Sequence, residues 1–568
     1  MTPNGIHISL DAKGRLLIET PFRYNEQVRS IPARFSRAKG AWVAPLLRGA
    51  IRGIERLKKL PIPITISDDA AEAMANYDAD LKIPEERFPP QYKFKTEPMK
   101  HQRHALDFCW PRHVSALAME MGTAKTFIAI NTAAARWLAG KIKQVLVLCP
   151  SSLVSTWREE IEKHCPVPAH VAYSDVKPPE DRLLFAITTV EGMGISVNRF
   201  DEFTAYVRRH PTMAICDESS YIKEQKAARS QRVHLLGGAV PYRMILNGTL
   251  IGNNPLDIWS QFEFLDPKII GQPWQDFRAR YTIFGGYNNA QTLGYRDVEE
   301  LTDIIKPWTF MVKKSEVMKD LPPKLYEKRD VRPSPEQTKL IKAIRGKPLW
   351  VDLPELGDQA KIKSEMVLER VLRLRQISSG FISYIEGTPE PGVKLEAKIK
   401  RLDSSPKTDE LVEVLRQSGE KALVWCCFTE EVQAVTERLA QEFGPQSAVA
   451  FYGEMSDEER DAARHRFQDD PTCRYFVGNM AIGGMGLTLT AATLEVYHSN
   501  SFSYLQRAQS EDRAHRKGQH NAVTIVDLTM EGTADMLCYN AIVNKKDLAQ
   551  YVDELIQRGQ YEQVKACV

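Results

Sequence analysis

The segment Ala118-Met119-Glu120-Met121-Gly122-Thr123-Ala124-Lys125-Thr126 runs from an apolar stretch through a loop of small residues into Lys-Thr, and Phe127-Ile128-Ala129-Ile130 follows as a helix-like run. This layout lets consecutive backbone N–H groups wrap the β- and γ-phosphates of a nucleotide. Lys125 supplies a point charge, and the Thr126 hydroxyl is placed to hold Mg²⁺. A helix starting here aims its positive end at the anion. Directly before the lysine stands Ala124 rather than Gly. If that position needs positive φ, the extra methyl costs roughly 1–2 kcal/mol. Taken alone, the loop fits a helix N-terminus in an ordinary α/β core equally well, so its partners decide.

One partner is Asp217-Glu218. Four apolar residues, Met213-Ala214-Ile215-Cys216, lead straight into the two carboxylates, a pattern that a solvated acidic loop does not explain. Asp217 is placed to hold Mg²⁺ through water, and Glu218 to position and deprotonate an attacking water. A second partner is the pair Arg513 and Arg516. Three residues apart, they share one face of a helix. Arginine keeps its charge and makes paired bonds to phosphate oxygens. Delivered from a second domain to a γ-phosphate, such residues act as arginine fingers, worth roughly 10³–10⁵ in rate in other systems. Gln102 offers a donor and an acceptor together, which the adenine edge requires.

The elements needed to position these residues are legible as patterns. Residues 144–150, 184–189 and 213–216 are apolar strand-like runs separated by helical stretches, and 243–249 is a further strand that ends in small polar residues. That alternation predicts a doubly wound parallel sheet with functional residues at the C-terminal ends of its strands. The same pattern returns later, with a strand at 422–428, a helix at 456–467 and a loop at 481–490. Near the start, residues 6–20 alternate around Ala12-Lys13-Gly14 as a hairpin, and Leu47, Ile51, Ile54 and Leu57 mark a helix. Phe22, Tyr24, Phe35 and Trp42 interleave with Arg and Lys. That mixture suits stacking on bases with cations on phosphates, and equally a small aromatic core.

At 568 residues the chain is long enough for several domains, and its 43% hydrophobic and 26% charged content is ordinary for a soluble protein. No run is apolar enough to span a bilayer, and the Met1-Thr2-Pro3-Asn4-Gly5 start lacks a signal-peptide pattern. The nine cysteines form no Cys-x-x-Cys pair, and Cys426-Cys427 sit in an apolar run as buried thiols, which fits a reducing interior. Residues 1–60 carry twelve Lys/Arg against four Asp/Glu, a net of +8. The whole chain carries +3, which leaves −5 for the rest. A basic module on a mildly acidic body suggests a polyanion partner; a solvated basic face is the simpler alternative.

The ordered run Gln102, Gly122-Thr123-Ala124-Lys125-Thr126, Asp217-Glu218-Ser219-Ser220 and Leu246-Asn247-Gly248-Thr249 resembles the first RecA-like lobe of superfamily 2 helicases. Asn253-Asn254-Pro255-Leu256-Asp257-Ile258-Trp259 is similar to the Snf2 branch in particular. Leu321-Pro322-Pro323-Lys324, Leu372-Arg373-Leu374-Arg375-Gln376-Ile377, Ser405-Pro406-Lys407, Ala481–Thr490 and Gln509–Gln519 continue the likeness, which covers roughly residues 95–550. The order Phe-x-Tyr, Ile-Pro, Phe, Trp-Val and helix near the start resembles the HARP module of annealing helicases.

The resemblance implies an α/β fold of two tandem RecA-like doubly wound parallel-sheet lobes, with Snf2-type helical insertions and a small α+β N-terminal module. The expected divisions are a basic module at 1–60, a linker at 61–94 with a helix near 70–79, and lobe 1 at 95–325. A linker and helical insertion at 326–404, lobe 2 at 405–550 and a C-terminal tail at 551–568 complete them. It implies ATP and Mg²⁺ as ligands. Gln102, Gly122, Thr123, Ala124, Lys125, Thr126, Gly484 and Gly486 are then assigned to the nucleotide, and Thr126 and Asp217 to the metal. It further implies nucleic-acid contacts at Ser151, Thr188, Leu487 and Thr488, and coupling through Gly248, Thr249 and Gln509. Ser220 stands where the family often has a His that links the ATP site to the Gly-Thr motif, and Thr488 where Asn is usual.

The expected activity is that of an ATP-dependent translocase on duplex or forked DNA that remodels or rewinds it, acting as an intracellular monomer, cytoplasmic in a bacterial or phage source. A strand-separating helicase and an ATP-gated DNA-binding protein with impaired hydrolysis are the alternatives.

Overall fold

The computed structural model describes residues 5–560 apart from 13, 30, 32, 173–180, 249, 251–253, 286–290, 319–320, 346–369, 385–397, 484–486 and 559. The chain forms two compact units, Met1–Val317 and Met318–Val568. Among the described residues no helix is long and apolar enough to cross a membrane.

The first unit begins with a five-stranded sheet in the order β3-β4-β2-β1-β5. Its strands are β1 (Ile6–Leu10), β2 (Leu16–Glu19), β3 (Arg34–Ser36), β4 (Ala41–Ala44) and β5 (Ile64–Ile66). Strands β1 and β2 form the expected hairpin, and Gly14, at φ 70°, makes the turn with its N–H on the Asp11 carbonyl. Ile6, Ile8, Leu16 and Ile18 point inward against Ile51, Ile54 and Leu57 of helix Arg48–Lys58.

This module does not stop at residue 60. Strand β5 pairs in parallel with β1, and helix Asp68–Asp80 adds Ala70, Met74 and Tyr77 to the same core. Pro61 and Pro63 lead into this short edge strand, where a missing N–H breaks no ladder. The following segment is anchored as well. Phe88, Tyr92 and Phe94 pack with Trp110 and Phe127, and Tyr92 Oη donates to Asn131 Oδ1 at 2.9 Å.

The larger part of the unit is a seven-stranded sheet in the order β14-β6-β11-β10-β7-β9-β8. It contains β6 (Val114–Met119), β7 (Gln144–Cys149), β8 (Ala169–Ala172), β9 (Leu183–Thr189), β10 (Thr212–Asp217), β11 (Tyr242–Asn247) and β14 (Thr309–Val312), every neighbour pair parallel. Its side chains alternate between two cores. Ala116, Leu146 and Leu148 enter one, and Leu117, Val145 and Val147 the other. Burial on both faces is why these strands read as continuous apolar runs. A hairpin of β12 (Thr282–Gly285) and β13 (Gln291–Tyr295) lies outside the sheet.

The second unit holds a six-stranded sheet in the order β15-β22-β21-β18-β20-β19, again parallel throughout. Its strands are β15 (Lys324–Val331), β18 (Ala422–Cys426), β19 (Ala448–Phe451), β20 (Tyr475–Asn479), β21 (Leu494–Tyr497) and β22 (Val523–Met530). A separate hairpin joins β16 (Phe381–Tyr384) to β17 (Lys398–Arg401). Strand β15 pairs along its length with β22, so residues 324–331 belong to the second sheet. The expected end of lobe 1 at 325 moves back to Val317.

Two buried pairs of ionisable groups lie in this unit. Lys407 Nζ lies 2.8 Å from Asp535 Oδ2, and His498 Nδ1 lies 2.5 Å from Glu431 Oε1. Burial works against the Glu431 carboxylate, but its hydrogen bond to His498 and the neighbouring His498 and Lys407 charges hold its pKa at about 2.

Candidate active site

Strand β6 ends at Met119, and the chain turns through Glu120–Ala124 into helix Lys125–Leu138. The turn is tied internally and to its surroundings. Thr123 Oγ1 donates to the Glu120 carbonyl at 2.6 Å, and His101 Nε2 lies 3.1 Å from the Thr123 carbonyl. Lys314 N donates to Glu120 Oε2 at 2.7 Å. Gly122 sits at φ 79° and Ala124 at φ 60°, ψ 52°. The position before the lysine therefore does adopt the left-handed conformation, with a methyl group in place. The strain is held by the turn and helix on either side, as is common at functional loops. Lys125 Nζ donates to the Met119 carbonyl at 2.8 Å, folded back along the strand end, and Thr126 is half-buried in the first helical turn.

The acidic pair lies at the end of β10, two strands from β6 across β11. Asp217 and Glu218 are buried. Asp217 Oδ1 accepts from its neighbour's backbone, Glu218 N, at 2.9 Å, and Oδ2 accepts from Trp157 Nε1 at 2.9 Å. Burial pushes the Asp217 carboxyl above the usual carboxylate range, against the pull of the Lys125 ammonium, the Trp157 hydrogen bond and the Glu218 N–H. Glu218 itself has φ 47°, ψ 57°, a second non-glycine residue held left-handed at this site. The donor set fits Mg²⁺. Both candidate ligands are hard oxygen donors, and a cation at Asp217 would offset the burial of its charge. Trp157 was not singled out from the sequence as part of the site. The available signal was a tryptophan just beyond a strand end, whose N–H needs a partner once the ring is buried.

Gln102 is buried, and its Oε1 accepts from Met99 N at 2.7 Å, capping its own helix. Gly248 follows β11 and is half-exposed, while Thr249 lies outside the described residues, as do Gly484 and Gly486. Of the expected nucleic-acid contacts, Ser151 and Thr488 are exposed. Thr188 and Leu487 are buried, with Thr188 inside β9, and offer no side-chain surface to a polyanion.

Arg513 and Arg516 do not share a helix, because helix Tyr504–Glu511 ends before them. The chain is pulled into turns by bonds from Arg513 N to the Ser510 carbonyl, Arg516 N to Ala514 and Gln519 N to Arg516, and Leu489 N bonds the Arg513 carbonyl. Their side chains nevertheless converge. Arg513 Nη1 and Arg516 Nη1 both donate to the Leu487 carbonyl, at 3.1 and 2.9 Å, and Arg516 Nη1 also reaches Thr488 Oγ1 at 2.8 Å. The expected coupling residue Gln509 enters through its backbone, whose carbonyl accepts from Arg513 Nε at 2.8 Å.

The segment bearing the arginines is braced by a buried charge network. Arg507 pairs with both oxygens of Asp527 and with Glu511, and its guanidinium lies 3.4 Å from the Tyr497 ring centre. Lys324 bonds Glu511 and Asp512. Next to it, Glu495 is fully buried. Its Oε2 accepts from Trp425 Nε1 at 2.8 Å, and burial raises its pKa to about 8.

Each unit holds a parallel sheet, and in the first the loop before Lys125 and the acidic pair both stand at strand ends. Residues 101–380 match the SNF2-related domain, and residues 406–518 match the helicase conserved C-terminal domain. The chain belongs to the SNF2-related family of ATP-hydrolysing enzymes. It is 26% identical over 483 residues to the human DNA annealing helicase and endonuclease ZRANB3, covering 84% of this chain and 42% of that protein. It is also 26% identical over 447 residues to the TATA-binding protein-associated factor mot1 of Aspergillus fumigatus, covering 72% of this chain and 23% of that one. The chain thus spans less than half the length of these relatives. A Sulfolobus solfataricus SWI2/SNF2 ATPase core in complex with dsDNA is 21% identical at a TM-score of 0.37, with 85% of this chain and 99% of that chain covered.

Proposed function

We propose that the protein is a DNA-dependent ATPase that translocates along duplex DNA and remodels or rewinds it. The observation that supports this most is the buried Asp217 carboxylate. It is fixed by Trp157, and the Lys125 charge favours its ionised form against burial, in a SNF2-related chain. The relative described as an annealing helicase adds to it.

In this reading Lys125 and the N–H groups of the 122–126 loop bind the β- and γ-phosphates. Thr126 and Asp217 hold Mg²⁺, which when bound neutralises phosphate charge. Glu218 takes the proton of the attacking water. Arg513 and Arg516 supply fixed positive charge for the γ-phosphate. Both arginines are tied to the 487–488 loop through the Leu487 carbonyl, so a move of either alters the support of that loop. Ser151 and Thr488 contact the DNA backbone. The basic residues 23–39, several of them exposed with Phe22 and Phe35, help to choose the DNA structure.

The test is ATP turnover without nucleic acid and with single-stranded, duplex or forked DNA, using Lys125→Ala as the blank. Stimulation by duplex or fork is expected. Stimulation by single strands alone would point to a strand-separating helicase, and no turnover above the blank would contradict the reading.

A further inference from the structure

Behind the acidic pair lies a buried polar cluster that carries no charge. Ser219, Asn247 and Gln261 are 0%, 5% and 1% exposed. Ser219 Oγ donates to Gln261 Oε1 at 2.6 Å, and Asn247 Nδ2 lies 3.3 Å from the same oxygen and 3.4 Å from Ser219 Oγ. Gln261 is held in place from its other end, where Nε2 donates to the Asp257 carbonyl at 3.0 Å. The neighbouring Ser260 hydroxyl donates to the Ile222 carbonyl. Helix Asp257–Leu265 thus grips the short turn Ser219–Ile222 at both ends.

The three residues stand at informative places. Ser219 follows Glu218 directly, and Glu218 is held at φ 47°, a conformation that persists only while its surroundings over-determine it. Asn247 is the last residue of β11, immediately before Gly248. Gln261 Oε1 accepts from both, so it is the joint between them. A backbone change at Glu218 must displace Ser219 and break a short bond inside a dry interior, where an unmatched polar group is costly. The cluster contains no titratable group, so it transmits position rather than charge.

We propose that Gln261 is a positioning residue that couples the Asp217-Glu218 end of the nucleotide site to the end of β11 at Asn247. Ser219 and Asn247 are its two arms. This inference rests on the DNA-stimulated ATPase reading above. Ser220, which stands where the family often has the linking His, is bypassed, because the link runs through Ser219 beside it.

The test compares wild type, Gln261→Met, Ser219→Ala and the double variant in the full chain. Basal turnover, duplex-stimulated turnover, KM for ATP and melting temperature are measured for each. The ratio of stimulated to basal turnover is expected to fall about tenfold in Gln261→Met and in Ser219→Ala. The double variant should fall no further than either single one, and KM for ATP should stay within about twofold. A stimulation ratio that survives in both single variants overturns the proposal, as does a proportional fall of basal and stimulated rates. If Gln261→Met melts early, Ser219→Ala decides, because it removes one hydroxyl and no volume that matters to packing. A wild type that DNA does not stimulate overturns the functional reading and this inference together. A stimulated wild type with unchanged variants overturns only the inference.

Discussion

The indole N–H of Trp157 is 2.9 Å from Asp217 Oδ2, inside a pocket where both side chains are buried. The bond fixes the carboxylate rotamer, since Oδ1 is already occupied by Glu218 N. Trp157→Phe keeps the ring and removes the donor. The expected result is a rise of about ten- to a hundredfold in the Mg²⁺ concentration that half-saturates turnover, in line with loss of one bond to a charged group. Nucleotide binding measured without metal should change little. An unchanged Mg²⁺ dependence would show that Asp217 does not need the indole.

Ala124 at φ 60° makes a second prediction. Ala124→Gly removes the methyl from a left-handed residue and should stabilise the protein by about 1 kcal/mol after the added chain entropy of glycine is counted. Ala124→Val, β-branched at positive φ, should destabilise it. Urea unfolding of the three proteins checks the order; a less stable Gly variant would mean the methyl makes contacts that outweigh the strain.

Glu495 ties stability to pH. Its pKa rises from 4.5 to about 8 on burial. The folded state therefore keeps a proton that the unfolded chain has released. Stability is full below pH 4.5 and declines as pH rises towards and through about 8. Glu495→Gln should flatten that decline, raising the melting temperature at pH 8.5 more than at pH 5.5. Equal shifts at both would place the proton elsewhere.

Lys407 and Asp535 form an ion pair in which Lys407 is wholly buried. Lys407→Met leaves the Asp535 carboxylate without its cation and should cost about 3–5 kcal/mol. Adding Asp535→Asn should recover part of that loss. A double variant as unstable as the sum of the singles would contradict the pairing.

These sites differ in how openly the sequence displays them. The acidic pair was legible because β10 is an unbroken apolar run that ends on two carboxylates, and the phosphate loop because small residues and Lys-Thr stand between a strand and a helix. Trp157 was not, since its partner lies 60 residues away and only the fold brings them together. Strand β5 was hidden by Pro61 and Pro63, which look like linker residues but border an edge strand on β1. The spacing of Arg513 and Arg516 suggested a helix face. What unites them is the Leu487 carbonyl, an acceptor on a distant loop that no local pattern reveals.

The most direct test of ATP-driven movement on duplex DNA is displacement of a third strand bound in the major groove of a long duplex. Displacement is expected to require ATP, to be lost in Lys125→Ala, and to leave the duplex itself paired. Hydrolysis stimulated by the same duplex without displacement, or displacement that proceeds equally without ATP, would contradict such movement.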